Sequence, residues 1–402
     1  FNILDQIVAA NIYLRANSAC SFCSTFTVAP KLMIYWTPGM SPGVYFGTPS
    51  STTSFFNKTD YSTLPRGMYI LGGVNGSTCA DTDHFDNSVI LHEYAHFLEF
   101  NYASSDSPGG YHNGNSVIDP RLAWSEGWAD YFQAAALNRS FYRDTIGNSD
   151  CANASLAFPD FTLNVASINQ DNTSKPSEGI FREFSISRIL YRATSNYNFS
   201  YIWNALTNSQ WGLGNLSLKF KNSGLFLQQF YYVITDATKA NLAWNMGAPI
   251  QNENQRTDQA SYALSTTARA QSCWASFPIA FTFQSGVPVV AGNSQAKFLS
   301  HRYIQIYNDG NPNHANIILN YQGSGGTPYD LDMVVYKEGY IFGDISTQQS
   351  SSSSMYPENG GTVSWPGHET INLSNAPVGS YLIDISAYVT SGMTRATTNF
   401  YL

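Results

Sequence analysis

An α+β unit followed by an all-β sandwich is the architecture this sequence predicts, and three observations carry it. Between residues 2 and 237 apolar residues recur at helical spacing in several stretches. Short strand-like pieces bounded by Pro, Gly and Asn turns lie before residue 75 and return beyond about residue 275. The length of 402 residues leaves room for roughly two to three domains, each able to bury a core.

The elements follow in order. Asn2 to Arg15 reads as a first helix. Lys31-Leu32-Met33-Ile34-Tyr35-Trp36 and Gly67-Met68-Tyr69-Ile70-Leu71-Gly72 read as strands, with Pro38-Gly39 and Pro42-Gly43 as turns between them. A helix is predicted over residues 86–100, because Asp86 or Asn87 can cap its start and no Gly or Pro interrupts it. Ala123 to Ala136 reads as another helix, continuing to about Asn138. Further helices are expected around Gly179–Ala193, Tyr201–Thr207 and Leu225–Ala237, with polar loops such as 164–178 between them. Residues 1–274 thus form one unit, with an α/β lobe over 1–104 and a mainly helical lobe over 105–274. Residues 275–402 form the sandwich, its strands including Tyr303–Tyr307, Ala315–Tyr321, Asp330–Tyr336 and Gly379–Tyr388. The Ser350–Ser354 run is read as an inter-strand loop.

Composition narrows the class of function. Charged residues make up 12% of the chain, against about 25% in an average domain, while polar uncharged residues and tyrosine are abundant. That balance fits a folded extracellular protein whose surface relies on hydrogen bonds. A net charge of −8 argues against nucleic acid, which demands clustered Lys and Arg. No run reaches the roughly 18 apolar residues of a membrane span. The chain opens at Phe1 rather than Met, as a trimmed mature product or a cut piece of a longer chain would. The five cysteines, Cys20, Cys23, Cys79, Cys151 and Cys273, are odd in number. A structural disulfide somewhere in the set is expected in a secreted setting, without its pairing being readable.

The chemistry concentrates in His92-Glu93-Tyr94-Ala95-His96. Residues four apart share a helix face about 6 Å apart along the axis, so His92 and His96 can converge on one ion. Glu93 stands beside them to handle a metal-activated water. Downstream, Ser125-Glu126-Gly127-Trp128-Ala129-Asp130 sets two acids four residues apart among apolar neighbours. Buried carboxylates are costly unless paired or bound to a cation. One Zn²⁺ accounts for both: Glu126 as third ligand, Asp130 as acceptor for the imidazole N–H of His92. The bland alternative is a surface helix carrying two solvated acids. Asp81, Asp83 and Asp86 are read as turn and capping residues, and Asp330 and Asp332 as acids on a strand's solvent face.

His-Glu-x-x-His followed some thirty residues on by Glu-x-x-x-Asp resembles the gluzincin metallopeptidases, and the Ser-Glu-Gly-Trp-Ala-Asp form resembles that of bacterial secreted members. The resemblance covers residues 86–100 and 119–136. It implies a zincin-like catalytic domain over 1–274 in which His92, His96 and Glu126 bind zinc, Glu93 is the general base and Asp130 orients His92. Activity would be hydrolysis of peptide bonds in a protein or peptide substrate. The Gly-x-Met-Glu-Asn strand of the zinc aminopeptidases is absent, which favours an endopeptidase. Tyr191 stands at a distance from Glu126 similar to that of the gluzincin oxyanion donor, with Arg182 and His112 as rivals. The strand from Met68 to Gly73 occupies the place where gluzincins pair an edge strand with extended substrate. Asp330–Tyr336, Glu369–Leu373 and Pro377–Tyr381 resemble the pre-peptidase C-terminal domain, a jelly-roll-like module of secreted bacterial peptidases. That likeness implies attachment to a surface, a polysaccharide or a protein. Two other functions are compatible with these residues: a zinc-binding adhesin or scaffold with vestigial activity, and a zinc hydrolase of non-peptide amides or esters.

Overall fold

A computed structural model describes residues 2–19, 26–47, 53–110, 112, 118–146, 160–164, 182–210 and scattered positions from 212 to 230. It further describes 280–282, 301–322, 330–337, 347–352, 367–388 and 399–401. Cys20, Cys23, Cys151 and Cys273, nearly all of the 164–178 loop and most of the helix expected over Leu225–Ala237 lie outside these residues. None of the helices described is long and apolar enough to cross a membrane.

The first helix, α1, runs Asn2–Asn17 and turns Ala10 and Leu14 into the core. Strands β1 (Ile34–Tyr35), β2 (Phe55–Asn57) and β3 (Gly67–Tyr69) form a small sheet in the order β1-β3-β2. β3 is parallel to β1 and antiparallel to β2. It is therefore the central strand and not the edge that substrate pairing would need. The backbone beyond it is engaged as well: Ile70 N–H donates to Tyr35 O at 3.0 Å, Gly72 N–H to Met40 O at 2.9 Å, and Leu71 N–H to Ser54 Oγ at 2.9 Å. Full burial of Met68, Tyr69, Ile70 and Leu71 explains the placement, since such a run gains most with neighbours on both sides.

α2 spans Asn87–Leu98 and continues as a π-helical turn over Glu99–Ala103. Asp86 occupies its N-cap position, but its side chain makes no capping bond. It accepts instead from Thr145, whose N–H lies 2.9 Å away and whose Oγ1 lies 2.8 Å away. α3 runs Pro120–Ala136, with Pro at its first turn and Asp119 capping the N–H of Arg121. Arg121 clamps the same carboxylate through Nε at 3.0 Å and Nη2 at 2.7 Å. Trp124, Trp128, Tyr131 and Phe132 of α3 are fully buried, and Trp128 Nε1 donates to Ala95 O of α2 at 3.1 Å. β4 (Phe141–Thr145) then pairs antiparallel with β5 (Asp160–Asn164). α4 (Glu183–Asn196) and α5 (Phe199–Thr207) complete the helical part. Gly127 lets α4 approach α3: a Cβ there would stand 2.6 Å from both Glu183 O and Ile186 Cβ.

The C-terminal strands make two four-stranded sheets. β6 (Ala280–Thr282), β8 (Asn316–Gln322), β11 (Gly367–Asn372) and β13 (Asn399–Tyr401) follow the order β11-β8-β13-β6. β7 (His301–Asn308), β9 (Asp330–Lys337), β10 (Thr347–Ser352) and β12 (Gly379–Tyr388) follow β10-β9-β12-β7. All pairings within them are antiparallel. Ser350, Ser351 and Ser352 belong to edge strand β10, paired with Val335, Val334 and Met333 after a register shift between Gln348 and Ser350. The expected loop is thus a strand at its start. Ladder bonds to β9 hold it where serine's own preference does not, and an irregular polar edge discourages pairing with other chains.

Candidate metal centre

Helices α2 and α3 pack against each other so that the two sequence motifs face one another. His92 Nε2 lies 3.1 Å from Glu126 Oε2, His96 Nε2 lies 3.3 Å from the same oxygen, and the two imidazole Nε2 atoms are 3.2 Å apart. Donors held at 2.0–2.1 Å around one tetrahedral zinc are spaced by roughly 3.3–3.4 Å. The triangle therefore fits a single ion, and these residues form one of the clusters able to hold a metal among the described residues.

Proton bookkeeping separates a metal site from a plain hydrogen-bonded cluster. His92 Nδ1 lies 3.1 Å from Asp130 Oδ1, and His96 Nδ1 lies 3.2 Å from Ser125 Oγ. Ser125 Oγ in turn donates to Glu99 Oε2 at 2.6 Å, so it is left to accept from His96. Both imidazoles then carry a proton on Nδ1 and present an Nε2 lone pair to the centre. Were both Nε2 atoms protonated instead, two N–H groups would confront each other at 3.2 Å. A cation removes that conflict, and the residues fit zinc.

Burial is nearly complete around the site. Glu126, Asp130 and Glu93 are 8%, 5% and 7% exposed, so the solvated surface helix is excluded for α3. Burial opposes charge on His92, yet its bonds to Asp130 and Glu126 outweigh that and hold its pKa well above the ordinary imidazole value. Burial likewise works against the Glu126 carboxylate, but the charges of His112 and His96 hold its pKa well below the usual range. Burial raises the pKa of Glu93 above that of a free carboxyl, only partly countered by His92 and His96. A carboxylate so tuned is a better proton acceptor. A divalent ion bound here would take the place of the protons that otherwise neutralise this cluster, so metal binding and protonation would compete.

Four contributors went unassigned in the sequence. Glu99, 1% exposed, and Ser125 orient His96 as Asp130 orients His92. Glu183, at the start of α4, lies 2.9 Å through Oε2 from His112 Nδ1, and His112 Nε2 lies 3.4 Å from Glu126 Oε2. Burial lowers the His112 pKa, but Glu126 and Glu183 together push it up to about 10. The ring of Tyr142 on β4 meets the His92 ring edge-on at 5.7 Å. The only sequence-level cue to Ser125 and Glu99 was polarity within otherwise apolar helices. Tyr191 sits half-buried in a cluster with Ala134, Tyr142 and Phe184, and its rival His112 lies beside Glu126. Arg182 is buried just ahead of α4.

Cys79 is disulfide-bonded, and the other four cysteines lie outside the described residues. Comparison of the chain with protein-family models, with curated proteins and with solved structures finds no match.

Proposed function

We propose that this chain is a secreted zinc-dependent peptidase, an endopeptidase of gluzincin type, with a C-terminal β-sandwich of the pre-peptidase kind that serves attachment. The observation that carries the reading is the convergence of His92 Nε2, His96 Nε2 and Glu126 Oε2 at edges of 3.1–3.3 Å, with each Nδ1 held by an oxygen. Support for secretion comes from the disulfide at Cys79 and the charged fraction of 12%, since disulfides persist in oxidising compartments.

His92, His96 and Glu126 would hold the zinc, and Asp130 and the Ser125–Glu99 pair would fix the tautomers of the two histidines. When bound, zinc supplies Lewis-acid polarisation of a carbonyl and acidifies a coordinated water toward neutral pH. Glu93, on the same helix as the two histidines, would serve as proton acceptor at the site and as proton donor to the leaving amine. His112, braced by Glu183, would offer a protonated Nε2 next to Glu126 as donor for the charge that develops on the substrate oxygen. We place His112 ahead of Tyr191 in this role because its Nε2 lies 3.4 Å from Glu126 Oε2.

The test measures metal content and protein cleavage together. Purified chain is expected to carry about one zinc, to lose cleavage of a general protein substrate on chelation, and to regain it on zinc add-back. Glu93→Gln should keep the zinc and lower kcat/KM by about 10²–10⁴-fold. Wild-type cleavage by that variant would refute the assigned base. Zinc binding without any cleavage would transfer the chain to the scaffold reading.

A further inference from the structure

We infer that the chain holds a second metal site, for a calcium ion, formed by the carboxylates of Asp81, Asp83 and Asp144 at the entrance to α2. One carboxylate oxygen from each lies within 4.8 Å of the others. Ligands 2.3–2.6 Å from one calcium can be separated by at most about 4.6–5.2 Å. The three come from two segments. Asp81 and Asp83 lie in or beside the 3₁₀ turn Asp83–Phe85 that precedes α2, and Asp144 lies on β4.

The cluster has the property that turn and capping roles leave unexplained. Asp83 is 3% exposed, and while its Oδ2 accepts from Ser54 Oγ at 2.5 Å, its Oδ1 is buried with no hydrogen-bond partner among the described residues. Asp144 Oδ1 is equally buried and equally without a partner among the described residues. Two carboxylates with unpartnered buried oxygens beside a third are costly to ionise in any medium drier than water, and a cation placed among them offsets that cost. Asp86, whose carboxylate is taken up by Thr145, adds a fourth negative charge nearby. The donors are all oxygen, which suits a hard ion; buried carboxylates supply the charge and leave the remaining positions to water or carbonyls.

An ion there would tie β4, whose Tyr142 abuts His92, to the start of the helix carrying His92 and His96. Its role is structural, and the inference stands apart from the zinc assignment. The test is titration of the calcium-freed full chain with CaCl2, read by calorimetry and thermal melting, with MgCl2 in parallel. Wild type is expected to bind calcium with a Kd below about 1 mM and to melt about 3–5 °C higher at saturation. Asp83→Asn and Asp144→Asn should each weaken calcium at least about tenfold. In calcium-free buffer Asp83→Asn should melt no lower than wild type, because the amide removes one repelling charge and keeps an oxygen for Ser54. Absence of binding heat and of any melting shift at about 10 mM CaCl2 would overturn the inference, as would a wild-type calcium response in both variants. An equal response to magnesium would overturn the choice of calcium. Zinc content measured on the same samples keeps the two sites distinct: calcium binding by a chain that takes no zinc would uphold this site and remove the other.

Discussion

Gly127→Ala is the sharpest probe of how α4 serves the metal centre. Helix propensity alone forecasts a gain of about 1 kcal/mol, since alanine is the better helix former. Packing forecasts the reverse. The added Cβ would stand 2.6 Å from Glu183 O, 2.6 Å from Ile186 Cβ and 2.7 Å from Ile186 Cγ2. A relaxed carbon contact needs roughly 3.5 Å or more, so the start of α4 must retreat by close to 1 Å. Two of the three atoms are backbone or Cβ and have no rotamer through which to yield. Overpacking of this kind costs about 1–3 kcal/mol, and both helices are buried here, so we expect a net loss of about 1–2 kcal/mol. Retreat of α4 also draws Glu183 from its 2.9 Å contact with His112, while Glu126 and the two histidines keep their own elements. Urea denaturation of the zinc-loaded variant should show the lower stability, and elemental analysis should show zinc retained. Catalytic rate should fall more than substrate affinity. A variant as stable as wild type or more stable, with unchanged kcat, would refute the argument that a side chain at this position is excluded by α4.

Three further outcomes follow from the site. His112→Gln should lower kcat by about 10²–10³-fold, the usual cost of one oxyanion donor, while Tyr191→Phe leaves kcat close to wild type; the reverse result in steady-state kinetics would restore Tyr191. Ser125→Ala should weaken zinc by about 10–100-fold, as should Asp130→Asn, because each frees one ligating imidazole to rotate; competition with a zinc-binding dye reads this directly. Burial raises the Glu99 pKa above its ordinary value even though Ser125 donates to it. A raised folded-state pKa means that folding favours the protonated form. That contribution is complete below about 4.5, the unfolded value, and is lost as pH rises through the folded one. Zinc-free wild type should therefore gain stability relative to Glu99→Gln as pH falls from neutral toward about 4.5, and parallel profiles in urea titrations would contradict it.

Much of the candidate metal site was legible because it rests on local periodicity. His92 and His96 share a helix face whatever surrounds them, and Glu126 and Asp130 repeat the same four-residue step. The helices from Asn2, Asn87, Phe199 and Glu183 began within a few residues of their expected starts, and the strands His301–Asn308, Asn316–Gln322, Asp330–Lys337 and Gly379–Tyr388 fell on predicted segments. Apolar period and turn residues encode such elements directly.

What only the tertiary structure decided are the contacts between distant segments. Glu99 reaches Ser125 and Glu183 reaches His112 through the packing of α2, α3 and α4, which no spacing reveals. β3 became the central strand because partners on both sides were available to a fully buried run. Asp81 and Asp83 looked like turn residues until β4 brought Asp144 against them. Spacing along one element determines which side chains point the same way; which other element they then meet depends on how the whole core closes, and that is a property of all the buried surfaces together.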